Sequence, residues 1–186
     1  MAEVLLQRSR GKTVAKVFEE LVRRWPDAEA LARARVPSIE RVIRPLGLVR
    51  RARTLKELAR AVVERGGVPR TLEGLLELPG VGRYAANATL AVAFNRHAAT
   101  VDGVTARVYR RYFGLPSEVP AVSDRQLWEL VERVTPRRGV WGWNWAVLDL
   151  AATVCLPARP RCPECPLAGR CRWSSAHAEV GVTGPR

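Results

Sequence analysis

The sequence contains no apolar run approaching the roughly 18 residues that a membrane-spanning helix needs. It also lacks a basic segment followed by an apolar segment at its start, which a secretory leader would require. We therefore expect neither a membrane partner nor a secreted protein. Hydrophobic residues make up 47% of the chain, which is enough to bury a core and excludes wholesale disorder.

Alternating apolar and polar residues, the pattern of a half-buried strand, are nearly absent. Helical spacing is common instead: apolar side chains recur three and four positions apart over residues 14–22 and 55–63. Ser123 stands three residues before Gln126, a spacing that predicts the start of another helix. Trp141, Trp143 and Trp145 alternate within an apolar stretch and are predicted to pack in the core. The sequence predicts an all-α protein.

Acidic residues are scarce, and so is lysine. The chain has 31 Lys and Arg against 18 Asp and Glu, which gives a net charge of +13 and a pI near 11.0. Only Lys12, Lys16 and Lys56 are lysines. The planar guanidinium fork of arginine suits phosphate, so nucleic acid is the first partner to expect. The alternative is that arginine use reflects a GC-rich genome or a hot habitat.

The chain has four cysteines, and all of them lie in one short stretch with the spacing C-x6-C-x2-C-x5-C: Cys155, Cys162, Cys165 and Cys171. Without a secretion signal, metal ligation is favoured over disulfides. Zinc sites usually pair two C-x2-C units, and only one is present here. The longer arms favour an iron–sulfur cluster, with zinc as the alternative.

Two further features fall before the cysteines. The segment Leu78-Pro79-Gly80-Val81-Gly82 separates helical patterns over residues 71–77 and 84–94. Such a turn allows close approach of the backbone, and the second helix then offers amides to an anion such as phosphate. An ordinary turn between helices is the alternative. Asp102 follows between Val101 and Gly103, and most aspartates in that setting are helix caps.

In combination, the hairpin, the aspartate and the four cysteines resemble the helix-hairpin-helix (HhH-GPD) DNA glycosylases of base excision repair. The order and spacing are similar to those of the iron–sulfur branch, which contains endonuclease III, the adenine glycosylase MutY and thymine mismatch glycosylases. The resemblance runs from about Ala2 to Cys171. It implies two helical lobes with DNA bound in the cleft between them, and a 4Fe-4S cluster held by the four cysteines.

The resemblance implies a six-helix barrel lobe over residues 1–97, with its hairpin at about 76–90, and a cluster lobe over 98–173. Residues 174–186 are expected to form a flexible tail. Asp102 matches the family's catalytic aspartate, and Glu3 matches a glutamate that protonates or recognises the base. Tyr84 stands where endonuclease III has its lysine nucleophile, and a phenol forms no Schiff base.

Several positions match residues that contact DNA in the family. These are Leu78, Gly80, Val81 and Gly82 of the hairpin, Gln7 and Arg8 as probes of the opposed strand, and Leu48 beside Val49 as an intercalating wedge. Core packing is the alternative for the probes and the wedge. Four arginines around the cysteines are expected to contact the phosphate backbone: Arg159, Arg161, Arg170 and Arg172.

The resemblance therefore implies a monofunctional glycosylase, which removes a mispaired base from duplex DNA without efficient strand scission. Thymine or uracil opposite guanine is the expected substrate, because of Tyr84 and because only residues 172–186 follow the last cysteine, where MutY continues into a further domain. Adenine opposite guanine or oxidised guanine is the alternative that Glu3 supports. A non-catalytic iron–sulfur DNA-binding protein is the alternative of another class. We expect a monomer in a prokaryotic-type cytoplasm, associated with the nucleoid.

Overall fold

A computed structural model describes residues 1–7, 9, 11–116 and 118–178. These residues form helices joined by turns and contain no β-strand, which confirms the all-α prediction. Within the described ranges, no helix combines the length and the apolar character needed to cross a bilayer. The chain divides into two compact units, residues 1–90 and 91–186. The assignment of a barrel lobe to residues 1–97 and a cluster lobe to 98–173 stays a prediction.

The first unit is built from short helices that bury one apolar face each. Its helices are α1 Ala2–Leu6, α2 Gly11–Arg24, α3 Ala28–Arg33, α4 Val36–Ile43, α5 Arg51–Glu64 and α6 Leu72–Leu76, followed by α7 Arg83–Ala93, which runs past residue 90. The α5 helix is central, because α3 and α4 both pack against it. Its fully buried Leu55 lies with Leu58 and Ala59 on one face, as the spacing of the apolar residues predicts.

The second unit contains α8 Gly103–Phe113, α9 Arg125–Val134, α10 Val140–Thr153 and α11 Arg172–Ala178. Its core is formed by α8, α9 and α10, which contribute Val108, Leu127, Trp128, Val131 and Val147 among others. Between α10 and α11 the cysteine segment makes two short 3-10 turns, Cys162–Glu164 and Ala168–Arg170. Both α10 and α11 contact α8, so α8 is the element against which the cysteine segment is held.

Three details differ from the sequence predictions. The helix predicted to begin at Ser123 is capped by Asp124, whose carboxylate accepts a hydrogen bond from the N–H of Leu127 at 3.0 Å. Within the predicted tail, residues 174–178 continue α11, and residues 179–186 lie outside the described ranges. Trp141, Trp143 and Trp145 are 52%, 36% and 59% exposed, so the prediction that these three pack in the core is wrong. The rings of Trp141 and Trp145 contact each other edge to face on an exposed side of α10.

Candidate functional site

Asp102 is the N-cap of α8 and is held by a reciprocal capping box. Its Oδ1 accepts hydrogen bonds from the N–H of Val104 at 2.9 Å, from the N–H of Thr105 at 2.7 Å and from the Thr105 hydroxyl at 2.9 Å. The Thr105 hydroxyl oxygen in turn accepts from the N–H of Asp102 at 3.0 Å. Among the described residues, none donates a hydrogen bond to Oδ2. The helix cap therefore fixes the carboxylate by one oxygen and leaves the other available.

The structure confirms the turn predicted at residues 78–82 and the helix predicted on each side of it, α6 and α7. Thr71 caps α6 by accepting from the N–H of Gly74 at 3.2 Å. Gly80 adopts a φ of +75°, a conformation that favours glycine, and a Cβ there would collide with the side chain of Thr54. At Gly82 a Cβ would meet nothing within 4 Å. The two glycines thus differ: the fold requires Gly80, whereas Gly82 presents bare backbone at the start of α7.

The α1 helix lies beside this hairpin and carries Glu3. The amide of Gln7 donates to the carbonyl oxygen of Gly80 at 3.1 Å, which joins the end of α1 to the turn. Arg51 donates to the Leu5 carbonyl oxygen at 3.0 Å and also to the carbonyl oxygen of Gln7, so it holds the last turn of α1. Burial raises the pKa of the Glu3 carboxyl above its usual range, and the amino group of Met1 partly opposes this rise.

The other predicted DNA contacts differ in exposure. Gln7 and Val49 are exposed, which excludes core packing for them, and Leu48 is half-buried. Leu78 is 4% exposed, so its side chain belongs to the interior of the first unit and only its backbone is available to a partner. Tyr84 is half-buried in the first turn of α7. Arg8 lies outside the described residues.

The four cysteines line a single cavity in the second unit. The cavity has a volume of about 30 Å³, and its other lining side chains are largely apolar, such as Leu150 and Leu167. Across the described residues, no three His, Cys, Asp or Glu side chains converge closely enough to hold a single metal ion. Four thiols around one cavity form a donor set that suits either an iron–sulfur cluster or a zinc ion.

The basic residues of the cysteine segment lie on its outer side. Arg159, Arg161, Arg170 and Arg172 are all exposed. Arg161 makes a 3.7 Å ion pair with Glu164, but both side chains are more than half exposed, so this pair is weak and easily exchanged. The segment thus offers several arginine side chains to a polyanion.

The structure brings two groups of predicted site residues together. In the first unit, Gln7 at the end of α1 contacts Gly80 of the hairpin, and in the second unit the four cysteines line one cavity. The sequence reasoning missed three contributors: Arg51, Thr105 and Arg111, whose guanidinium lies 3.5 Å from the sulfur of Cys155. Thr105 had a local signal, since it lies three residues after Asp102, as a capping box requires. Arg51 and Arg111 act on segments more than 40 residues away in sequence, and no local pattern indicates such contacts.

Comparison with protein families identifies the class. The model of the "HhH-GPD superfamily base excision DNA repair protein" matches residues 1–133, and the chain belongs to this superfamily. The adenine DNA glycosylase of Rattus norvegicus is 37% identical over 185 residues, which cover 97% of this chain and 35% of that protein. The thymine/uracil-DNA glycosylase of Methanothermobacter thermautotrophicus is 34% identical over 176 residues, covering 93% of this chain and 80% of that protein.

Solved structures agree with this assignment. A thermostable thymine-DNA glycosylase is 34% identical with a TM-score of 0.89, covering 94% of this chain and 82% of that one. Endonuclease III trapped in a covalent intermediate with DNA is 28% identical with a TM-score of 0.82. The match covers 95% of this chain and 83% of that one. The chain therefore spans about a third of the mammalian adenine glycosylase and about four-fifths of the archaeal and endonuclease III proteins.

Proposed function

We propose that this protein is a monofunctional DNA glycosylase of base excision repair, which hydrolyses the bond between a mispaired base and its deoxyribose in duplex DNA. The observation that carries the proposal is the carboxylate of Asp102, fixed through Oδ1 and with no hydrogen-bond donor to Oδ2 among the described residues. It stands at the position that matches the catalytic aspartate of the superfamily. Relatives of similar length, named as glycosylases, support the same activity.

Asp102 has the chemistry that base release needs. As the bond to the base breaks, positive charge develops on the sugar, and a fixed carboxylate beside it lowers the barrier electrostatically. The same carboxylate orients a water for attack on that sugar. Because the capping box already holds Oδ1, little reorganisation accompanies the reaction. The base itself must leave the stack before the reaction, since an enzyme cannot reach it inside a duplex.

Tyr84 supports hydrolysis rather than strand cleavage. A lysine at this position would attack the sugar and form a Schiff base, which leads to scission of the backbone. A phenol has no amine for that step, so the product is an abasic site that stays intact until alkali is added. This is the monofunctional outcome.

The preferred substrate in this proposal is thymine or uracil opposite guanine. The archaeal relative that this chain covers to 80% of its length is named a thymine/uracil-DNA glycosylase, which supports that preference. Adenine opposite guanine or oxidised guanine is the second candidate. The raised pKa of Glu3 favours it, because a carboxyl that keeps its proton nearer to neutral pH is suited to protonate a purine leaving group.

Duplex DNA is the proposed partner, bound mainly through its phosphates. The backbone amides at the start of α7, next to the open position at Gly82, are suited to one phosphate. The arginines of the cysteine segment add contacts that do not depend on sequence and that salt weakens. We also propose that the protein acts as a monomer in a prokaryotic-type cytoplasm, in association with the nucleoid.

A 4Fe-4S cluster is the proposed resident cofactor, with its thiolate ligands Cys155, Cys162, Cys165 and Cys171. The spacing C-x6-C-x2-C-x5-C, with a single C-x2-C unit, supports this choice over zinc, and the four cysteines line one cavity. When bound, the cluster would tie together the loop that carries the exposed arginines, and it would offer a one-electron redox couple. No residue over 155–171 is fully buried, so the cluster would add to the hydrogen bonds by which Arg107 and Arg111 hold this segment against α8.

Base release from a panel of labelled duplexes under single-turnover conditions at low salt tests the proposal. The panel contains G·T, G·U, A·G, A opposite oxidised guanine and an oxidised pyrimidine, each read with and without alkali. We expect strand breaks from G·T and G·U only after alkali. Breaks from the adenine duplexes alone would favour the second candidate, and breaks without alkali would contradict the role of Tyr84. Tight binding with no release from any duplex would instead indicate a non-catalytic DNA-binding protein.

A further inference from the structure

Arg111, in the last turn of α8, contacts both ends of the cysteine segment. Its guanidinium donates to the carbonyl oxygens of Leu156 at 2.7 Å and Pro157 at 2.6 Å, and its Nη1 lies 3.5 Å from the sulfur of Cys155. Its own carbonyl oxygen lies 3.6 Å from the sulfur of Cys171. One residue of α8 thus touches the first and the last cysteine of the four.

An aromatic stack holds this guanidinium in place. The Arg111 guanidinium carbon lies 4.5 Å from the ring centroid of Trp173, and that ring also stacks on His177 at 3.9 Å. Trp173 and Arg111 both line the cavity that the cysteines surround. With two carbonyl bonds and one stacked face, the side chain has little freedom to turn away from the sulfur.

Arg107, one helical turn before Arg111, differs from it in the acceptors that its guanidinium contacts. Arg107 also reaches the cysteine segment, where it donates to the carbonyl oxygens of Cys155 and Ala151, both at 2.8 Å. These are peptide acceptors, so Arg107 supports the backbone. Arg111 is the arginine whose N–H group lies at hydrogen-bonding distance from a sulfur, within the part of the chain that the structure describes.

We infer that Arg111 is a positioning residue for the cluster, holding the cysteine segment closed and raising the reduction potential of the bound group. Addition of an electron makes a thiolate-ligated cluster more negative, so a permanent cation and an N–H donor beside a ligating sulfur stabilise the reduced form. Removal of the guanidinium should therefore make the potential more negative. This inference rests on the proposed 4Fe-4S cofactor.

The test compares Arg111→Met and Arg111→Gln with the wild-type holoprotein, using voltammetry of the cluster and the rate at which its visible absorbance bleaches in air. The matched control is Arg125→Met, since Arg125 is in the same unit, is 90% exposed and pairs with the exposed Glu129. We expect both Arg111 variants to show a more negative potential and several-fold faster bleaching. Arg125→Met should behave as the wild type.

The possible outcomes separate the inference from the cofactor proposal. If the wild-type protein contains zinc, or contains neither iron nor acid-labile sulfide, the cofactor proposal is wrong and the role of Arg111 falls with it. A loaded wild type whose potential and bleaching are unchanged in both Arg111 variants would overturn the inference alone. If Arg111→Met loses the cluster on isolation while Arg125→Met retains it, the holding role is supported. The potential of Arg111→Gln, which keeps N–H donors without the charge, then decides the electrostatic role.

Discussion

The Asp102 carboxylate and the Thr105 hydroxyl hold each other at the start of α8: Thr105 donates to Oδ1 at 2.9 Å and accepts from the N–H of Asp102 at 3.0 Å. Thr105 is almost fully buried, whereas Asp102 is half-buried. A helix cap and a catalytic carboxylate are usually regarded as alternative roles for an aspartate. Here the cap supplies the rigidity that the proposed catalytic role requires.

Thr105→Val tests this relationship, because it removes the hydroxyl and keeps the shape of the side chain. We expect it to lower the free energy of unfolding by about 1–2 kcal/mol through the lost capping bond. The rate of base release should fall by about tenfold or more, because Asp102 is less well oriented. Duplex affinity should stay the same. Thr105→Ser, which restores the hydroxyl, is the matched control and should recover most of the rate.

Tyr84→Lys should add strand cleavage to base release. The new amine is able to form a Schiff base with the sugar, so breaks should appear without alkali, and borohydride should trap a covalent complex between protein and DNA. The matched control is Tyr84→Phe, which offers no amine and should give alkali-dependent breaks only. Absence of any trapped complex with the lysine variant would contradict the placement of residue 84 beside the reacting sugar.

Glu3 should make the protein less stable as the pH rises. Because burial raises its pKa in the folded chain, the folded state keeps the proton at pH values where the unfolded state has lost it. The free energy of unfolding therefore declines with pH from the ordinary carboxyl pKa upward to the raised one. Denaturant melts across this range should show a smaller decline for Glu3→Gln, which cannot ionise. An identical pH dependence in both proteins would contradict the raised pKa.

The two hairpin glycines should respond differently to alanine. Gly80→Ala forces a side chain into a φ of +75° and against Thr54, which should cost about 1–3 kcal/mol of stability. Gly82→Ala meets no neighbour and should fold normally, but its methyl group stands where a phosphate would approach. Thermal melts and fluorescence anisotropy with a short duplex separate these effects. Normal DNA affinity in Gly82→Ala would contradict the proposed phosphate contact.

The sequence predicted the helices of both units because their apolar faces are local patterns, as in α2 and α5. The turn before α7 could also be predicted, because glycine and proline mark it directly. Long-range contacts could not be predicted from local patterns. The contact of Arg111 with Cys155 spans 44 residues and depends on how α8 packs against the cysteine segment. The three tryptophans of α10 were predicted to pack in the core, because that is the more common role of tryptophan in such a stretch, yet all three are exposed.

The capping residue of α9 shows a smaller limit of local patterns. Ser123 and Gln126 have the spacing of a capping box, but Asp124, one residue later, takes the cap. Asp124 also makes an ion pair of 2.7 Å with Arg110 of α8, which the local sequence pattern does not predict. Both side chains are largely buried. A tertiary contact therefore decides between two cap candidates that are nearly equal locally.

The central claim, that Asp102 catalyses base release, is tested most directly by Asp102→Asn on a G·U duplex under single-turnover conditions. Asparagine caps a helix as well as aspartate does, so the fold should be kept. Asp27→Asn is the matched control, because Asp27 caps α3 through the N–H of Ala30 and has no proposed role in catalysis. We predict that Asp102→Asn lowers the rate by about 10²–10⁴-fold with duplex binding retained, whereas Asp27→Asn matches the wild type. Release by Asp102→Asn at the wild-type rate would contradict the account.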